Sequence, residues 1–321
     1  MNERRLARRK TSVRIALTVI LVAGGIGAVS TLHAMDWRAF GAALAGMAPL
    51  PLTLALVVST VQVYAQLARF VVLLPPEARH PFIELLDATA VGQLLNYATP
   101  LRAGDAYKLI RLAPNSGSPE PRKGRFSVLL AALLVERVAD IAALFVMAAW
   151  ASFAELTSWA STVFPSSARA VEVAAGVAVV AGTIVLLAPR TGGILRSFGG
   201  EVWGALWSPR FARALAVSLV TWALDAGTLY WTTRSIGGYA LSFRDVMQSV
   251  FVLNLGIAVP VTVGNLGVFE AALAFALTRH GIPPEDALAI ATLEHFVKFS
   301  GLGLCVATLR LGRVSGSRRR A

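Results

Sequence analysis

The chain has 321 residues, of which 56% are hydrophobic and only 15% charged, and its formal net charge at pH 7 is +12. Apolar runs longer than the ~18 residues of a minimal transmembrane helix recur along it, which argues against a soluble helical bundle. The Lys and Arg residues lie mostly between these runs, as the positive-inside rule requires, so the charge does not indicate a nucleic-acid partner.

The first predicted span, Val13–Leu32, follows a basic N-terminus that has the look of a signal peptide. The run is long, and Leu32 stands where a signal peptidase needs a small residue, so we predict an uncleaved span. Interfacial helices with Trp anchors are predicted at Asp36–Met47 and Thr191–Trp207. The other predicted spans are Pro51–Leu74, Phe126–Phe153, Val171–Ala188, Phe211–Trp231 and Ala287–Leu309.

A broken segment lies between the second and third spans. Phe82–Tyr97 and Leu101–Leu112 are too polar to cross alone, and the helix breakers Pro100 and Gly104 lie at their junction. A complete crossing here would move the basic cluster Arg122–Arg125 to the side opposite the other basic loops. We therefore predict a re-entrant helical hairpin that enters the membrane and returns to the same side.

The same arrangement recurs about 160 residues later, with Phe243–Val259 and Gly264–His280 as the second hairpin. Its breakers are Pro260, Gly264 and Gly267. Three crossings per half is an odd number, so the second copy would be inverted relative to the first. The sequence predicts an all-α integral membrane protein with one membrane domain, 1–321, built from an inverted repeat of 1–160 and 161–321. The charge bias places both termini in the cytoplasm, in a multi-pass protein of the plasma (inner) membrane.

Several ionisable residues lie inside the apolar spans, where a charge costs at least ~2.5–3.5 kcal/mol. Glu136 and Asp140 share one helix face, and under the duplication they match Glu294 and Lys298. Two interpretations stay open: structural ion pairs between the halves, or a polar cavity at their interface. The cavity would also include Arg137, Asp225 and Glu270, whereas Arg69 is expected to extend to the membrane surface.

Each break begins a new helix whose free N–H groups attract anions. Arg102, Asp105 and Lys108 flank the first break, so a phosphate could be held there by backbone amides and two cations. The alternative is an elbow that only packs, with its cations facing interfacial lipid.

These residues resemble the membrane domain of the lysylphosphatidylglycerol synthases and its stand-alone, flippase-like relatives. The family pattern at the first break, roughly Pro-Gly-Arg-x-Gly-Glu/Asp-x-x-Arg, stands here as Pro100-Leu-Arg-Ala-Gly-Asp-Ala-Tyr-Lys108. Glu136-Arg-Val-Ala-Asp140 matches the third-span motif, and Thr262–Glu270 matches the second break. The chain departs from the pattern at Leu101, Val263 and Asn265, where Gly, Pro and Gly are usual, and at Lys108, which replaces an Arg.

The resemblance implies lipid translocation. The aminoacyl-transferase domain of the full synthases is not expected after the sixth span, so neither is synthase activity. We predict a flippase whose polar or charged lipid headgroup passes through a seam between the repeats. Two alternatives are a membrane enzyme acting on a lipid-linked substrate and a non-transporting scaffold for envelope or glycan assembly.

The expected partners are membrane lipids, either phospholipid or a polyprenyl or other lipid-linked substrate, and a homo-oligomer is left open. No cofactor and no metal are expected, because the four histidines are isolated and no ATP-binding Gly-x4-Gly-Lys-Ser/Thr segment occurs. No catalytic residue is assigned. For the enzyme alternative, the acid–base candidates are Glu136 with Asp140 and Glu294 with His295.

Overall fold

A computed structural model describes residues 36–78, 80–99, 103–113, 122–152, 202–257 and 265–318. These residues are helical throughout apart from short connections, and no strand occurs among them. The α-helices are α1 (Trp37–Ala45), α2 (Pro49–Leu73), α3 (Phe82–Ala98), α4 (Ala103–Leu112), α5 (Arg122–Ala151), α6 (Pro209–Ser235), α7 (Phe243–Gly256), α8 (Val268–Thr278) and α9 (Pro284–Arg318).

Local sequence signals set where these helices begin. Pro49 and Pro209 occupy the first turn of α2 and α6, where the missing N–H of proline costs nothing. Asp36 accepts hydrogen bonds from the first amides of α1. Ser242 and Asp245 form a reciprocal capping box at the start of α7, which satisfies amides that would otherwise lack acceptors.

Three helices of the described part are long and apolar enough to cross a membrane: α2, α6 and the segment Pro284–Leu309 of α9. Helix α5 has 30 residues, but Glu136, Arg137 and Asp140 lie in its middle. The predicted second, third, fifth and sixth spans therefore coincide with α2, α5, α6 and α9, within a few residues at most ends. The predicted spans Val13–Leu32 and Val171–Ala188 lie outside the described residues.

The broken segments are pairs of shorter helices, as predicted. Helices α3 and α4 have 17 and 10 residues, and α7 and α8 have 14 and 11. Each pair packs together, α3 on α4 and α7 on α8. The connections 100–102 and 258–264, which include Pro100, Pro260 and Gly264, lie outside the described residues.

The long helices form the frame around these pairs. Helix α2 makes its most extensive contact with α6, and it also packs against α9, while α6 packs against α5. Helix α3 packs on α9, and α7 packs on α5. Each short pair therefore contacts a long helix from the other half of the chain, which brings residues far apart in sequence to one place.

Candidate functional site

One buried arginine organises the charges of the first half. Arg69 on α2 is 1% exposed. Its Nε donates to Glu136 Oε1 at 3.2 Å, and its Nη1 donates to Asp140. Lys108 Nζ donates to the other oxygen of Glu136 at 3.2 Å. The expectation that Arg69 reaches the membrane surface is wrong, because two carboxylates one turn apart on α5 hold its guanidinium inside the protein.

A second set of contacts ties the two helices of the first pair together. Asp105 on α4 accepts two hydrogen bonds from Arg137 Nη2, at 2.7 and 2.9 Å. It also accepts one from Asn96 Nδ2 at 3.0 Å, and its own backbone N–H donates to Asn96 Oδ1 at 3.2 Å. Asn96, near the end of α3, therefore fixes the start of α4. We define the first ion cluster as Arg69, Lys108 and Arg137 with Asp105, Glu136 and Asp140.

Close backbone contact supports this pair. A Cβ atom added to Gly104 would lie 1.6 Å from the carbonyl oxygen of Gly92, so α3 and α4 approach as closely as only glycine allows. Gly104 was predicted from its position at the break. The structure gives it a further role, which is to let the backbone of α4 contact that of α3.

The second half contains a smaller second ion cluster, Asp225, Glu294 and Lys298. Lys298 Nζ on α9 lies 3.0 Å from Asp225 Oδ1 on α6 and 3.5 Å from Glu294 Oε1. Asp225 also accepts a hydrogen bond from Gln62 Nε2 on α2 at 2.7 Å, and Glu294 accepts one from Thr232 at 2.7 Å. The Gln62 contact joins this cluster to the helix that carries Arg69.

Glu270 lies at the start of α8, after the second break. Its Oε2 accepts the backbone N–H of Gly267 at 2.7 Å, which caps the helix, and its Oε1 lies 2.6 Å from His295 Nδ1. The His295 ring stacks on Phe269 with centroids 4.3 Å apart. Asn265 has a left-handed φ of 54°, and Gly267 has a φ of 81°. Glycine is usual in the family pattern at the position of Asn265, and asparagine is among the few residues that tolerate this conformation.

A polar cavity of about 150 Å³ lies where these elements meet. This is roughly ten times the ~10–15 Å³ that one water requires. Its charged lining residues are Arg69, Arg137, Asp140, Asp225 and Lys298. The end of α3 contributes Asn96, Tyr97 and Thr99 to the lining. The second pair contributes Leu253, Asn254, Ile257, Asn265 and Phe269.

The structure brings most of the predicted site residues to this cavity or next to it. Four of them line it: Arg137, Asp140, Asp225 and Lys298. Three more form ion pairs with lining residues: Asp105, Glu136 and Glu294. Lys108 forms an ion pair with Glu136. Glu270 is one step further, through His295 and Phe269. Arg102 lies outside the described residues. Substrate binding by the predicted site residues stays a prediction.

The sequence interpretation missed the polar face of α2. Gln62, Gln66 and Arg69 line the cavity, and Ser59 is buried one turn earlier. These residues recur at spacings of three and four, which places them on one side of a helix. The spacing therefore predicts a polar stripe on an otherwise apolar span, whereas the substrate-binding residues predicted from sequence were all charged. Trp222, whose Nε1 donates to the backbone oxygen of Asp140 at 2.9 Å, was missed as well.

No group of three or more potential metal ligands occurs within the part of the chain that the structure describes. Of the acid–base pairs considered for an enzyme, Glu136 and Asp140 both bond to Arg69, and His295 contacts Glu270 rather than Glu294.

Comparison with known families agrees with the motifs. The family described as Lysylphosphatidylglycerol synthase TM region matches residues 13–305. The chain belongs to this family. The matched residues include both ion clusters and the residues that line the cavity. The match identifies an integral membrane protein related to lipid metabolism. No curated protein matches the chain significantly in sequence.

Proposed function

We propose that the protein is a lipid transporter that moves a polar or charged headgroup through the cavity while the acyl chains stay in the bilayer. The observation that carries the proposal is the cavity itself: a space lined by five charged side chains, among helices long enough to cross a membrane. Charged residues inside membrane spans are costly, and they commonly mark substrate or ion pathways. The family's relation to lipids supports the same conclusion.

The helix contacts support a duplication of one module, and the inversion of the second copy remains part of the proposal. Exchanging α2 with α6, α3 with α7, α4 with α8 and α5 with α9 turns each contact among these helices into another that is also present. For example, α3 on α9 becomes α7 on α5, and α2 on α9 becomes α6 on α5. Such exchange symmetry is expected of two copies of one module. We infer halves 1–160 and 161–321, with the charge bias placing both termini in the cytoplasm at the plasma membrane.

The lengths of the paired helices support re-entrant hairpins. A complete crossing needs about 20 residues, and α3, α4, α7 and α8 are all shorter. Irregular backbone at membrane depth is tolerated where it is buried in protein or lines a wet cavity, and both pairs reach this cavity.

Reconstitution tests the transport proposal. Purified protein in proteoliposomes should accelerate leaflet exchange of a fluorescent phospholipid, measured by dithionite quenching. Arg137→Gln removes a lining cation, and Gln93→Trp places a bulky ring in the cavity from its wall. Both should slow exchange at least tenfold, whereas Arg210→Gln, at an exposed arginine, should leave it unchanged. Unchanged exchange in a folded Gln93→Trp variant would refute the route.

An enzyme acting on a lipid-linked substrate is the second candidate. The observation that favours it is the 2.6 Å contact between Glu270 and His295, since a carboxylate that orients an imidazole is a common general-base arrangement. Incubation of a radiolabelled lipid with the purified protein separates the two functions. A transporter returns the lipid chemically unchanged, and an enzyme produces a new species.

A further inference from the structure

The two ion clusters differ in their charge balance. The first contains three cations and three carboxylates. The second contains one cation, Lys298, and two carboxylates, Asp225 and Glu294. If both carboxylates were ionised, this buried group would carry one excess negative charge, which is costly away from water. An additional positive charge is therefore needed to balance the second cluster.

Glu294 is the carboxylate that the existing cation leaves without a close partner. Glu136, which matches it under the duplication, contacts two cations on other helices at 3.2 Å each. Glu294 is 0% exposed, and its Oε1 has no hydrogen-bond partner among the described residues. Lys298 Nζ lies 3.0 and 3.1 Å from the two oxygens of Asp225, but 3.5 Å from Glu294 Oε1. The ammonium therefore pairs mainly with Asp225.

The contacts of Thr232 are fully satisfied only if Glu294 carries a proton. The Thr232 hydroxyl lies 2.7 Å from Glu294 Oε2 and 2.9 Å from the backbone oxygen of Thr228. A hydroxyl has one hydrogen, and an ionised carboxylate and a carbonyl can only accept, so the hydroxyl cannot form a full hydrogen bond to both. If Glu294 is protonated, its O–H donates to the Thr232 oxygen while the hydroxyl donates to Thr228.

The position suits a proton better than a metal ion. A metal cation at Glu294 Oε1 would lie close to the ammonium of Lys298, and the two positive charges would repel each other. A proton forms a covalent O–H bond and needs no further oxygen ligands. It also removes the excess charge of the cluster completely.

Charged residues on the helices that pack against Glu294's helix, α9, do not supply the balancing charge. In the described part of the chain they are exposed or engaged elsewhere: Asp36 and Arg38 on α1, Arg69 on α2, Glu84 and Asp87 on α3, Arg210, Arg213 and Arg234 on α6, and Glu270 on α8. On α9 itself, His295 contacts Glu270, and Asp286 accepts a hydrogen bond from Tyr239. The Tyr97 ring of α3 packs on the His295 and Phe299 rings.

We propose that Glu294 binds a proton, and that this proton is the coupling ion of the transporter. The proton forms an O–H bond at Oε2, and it passes to water when the carboxylate forms. With the proton bound, Lys298 pairs with Asp225. With the proton lost, Glu294 competes with Asp225 for the ammonium, so the proton changes a pair of residues that line the cavity. The coupling rests on the proposed transport function, whereas the proton site does not.

Infrared spectroscopy of the reconstituted protein detects the proton directly. At neutral pH we expect the C=O stretching band of a buried, protonated carboxyl group, and we expect Glu294→Gln to remove it. The matched control is Glu285→Gln, in the first turn of the same helix, which should keep the band. If the unmodified protein and Glu294→Gln have the same spectrum in this region, Glu294 is ionised and the inference is overturned.

A matched pair of substitutions tests the charge balance by stability. Glu294→Gln replaces the protonated acid with an amide that can also donate to Thr232, so its unfolding in mixed micelles with sodium dodecyl sulfate should be nearly unchanged. Glu136→Gln removes the charge that two cations contact, so its unfolding equilibrium constant should rise at least about tenfold. Equal losses, or a larger loss for Glu294→Gln, would overturn a protonated Glu294.

A pH gradient across proteoliposomes tests the coupling, with the membrane potential clamped by potassium and valinomycin. If one proton moves with each fluorescent phospholipid, a gradient of one pH unit shifts the leaflet distribution by up to about tenfold. We expect this asymmetry for the unmodified protein and for Glu285→Gln, and an even distribution for Glu294→Gln.

Three outcomes would overturn coupling through Glu294 and leave transport standing. They are an even distribution with the unmodified protein, asymmetry that persists in Glu294→Gln, and asymmetry that only a sodium gradient produces. If no lipid is exchanged under any condition, the transport proposal and the coupling fail together. The infrared band and the stability of the matched pair then decide by themselves whether Glu294 binds a proton.

Discussion

Replacing Arg69 with methionine tests whether the first ion cluster holds the helices together. The cluster contains three cations, Arg69, Lys108 and Arg137, and three carboxylates, Asp105, Glu136 and Asp140. Arg69 is the member that bridges α2 to α5, through Glu136 and Asp140. The Arg69→Met variant keeps much of the side-chain volume but leaves the cluster with one excess negative charge in a buried place.

The expected loss in the free energy of unfolding depends on which cations remain next to each carboxylate. Removing one partner of a buried ion pair costs about 3–5 kcal/mol. Glu136 retains Lys108 at 3.2 Å, and the Asp140 side chain is 19% exposed with Arg137 at 3.9 Å. Because both carboxylates keep a cation, we expect the lower end, about 3 kcal/mol. Adding Asp140→Asn restores the charge balance, so the double variant should recover at least about 1 kcal/mol relative to the sum of the single changes.

Reversible unfolding in mixed micelles, titrated with sodium dodecyl sulfate, measures these free energies. Arg210→Met, at an exposed arginine, is the control and should stay within about 0.5 kcal/mol of the unmodified protein. An Arg69→Met variant that is equally close to the unmodified protein would refute the reasoning. So would strict additivity of Arg69→Met and Asp140→Asn, because the two residues would then not interact.

Three further predictions concern the backbone and one loop contact. Gly104→Ala should cost about 1–3 kcal/mol in the same titration, because its Cβ would overlap backbone, whereas Gly303→Ala, with no atom within 4 Å, should be neutral or stabilising; equal effects would contradict this. Asn265→Ala should cost about 1 kcal/mol relative to Asn265→Gly because of the positive φ, and the reverse order would exclude strain at this position. Burial and the hydrogen bond to Asp286 raise the pKa of Tyr239 to about 12. The hydrogen bond from Tyr239 to Asp286 should therefore contribute about 1 kcal/mol to the free energy of unfolding below about pH 10, and this contribution should be lost as the pH rises through 12. A pH series of melting temperatures for Tyr239→Phe should converge with the unmodified protein at the alkaline end, and a constant difference would contradict the assignment.

The spans and the breaks were predictable from particular residues. The run Pro51–Leu74 gave α2 to within two residues at each end, and Phe82–Tyr97 gave α3 to within one. Within lipid, a single segment can satisfy its backbone hydrogen bonds only by forming a helix. A sufficiently long apolar run therefore predicts a membrane-spanning helix. Polar residues, together with a glycine four residues after a proline, then mark where a span is interrupted.

Arg69 shows where prediction from sequence stops. Its neighbours along α2 gave no sign that its partners are Glu136 and Asp140, which are 67 and 71 residues away. Gln62 and Asp225 are 163 residues apart and lie on the two helices with the most extensive contact. The sequence predicts on which face of its helix a residue lies. Which residues of a neighbouring helix contact that face depends on how the two helices are rotated and packed.

The sequence by itself determined the membrane class, the described spans, the two helix pairs and the set of intramembrane charges, because each depends on local composition. The tertiary structure decided which charges pair, that Arg69 is buried, and that amides of α2, α3 and α7 complete one cavity wall. These features arise where helices from distant parts of the chain pack together, and they depend on interhelical distances and rotations that no local pattern encodes.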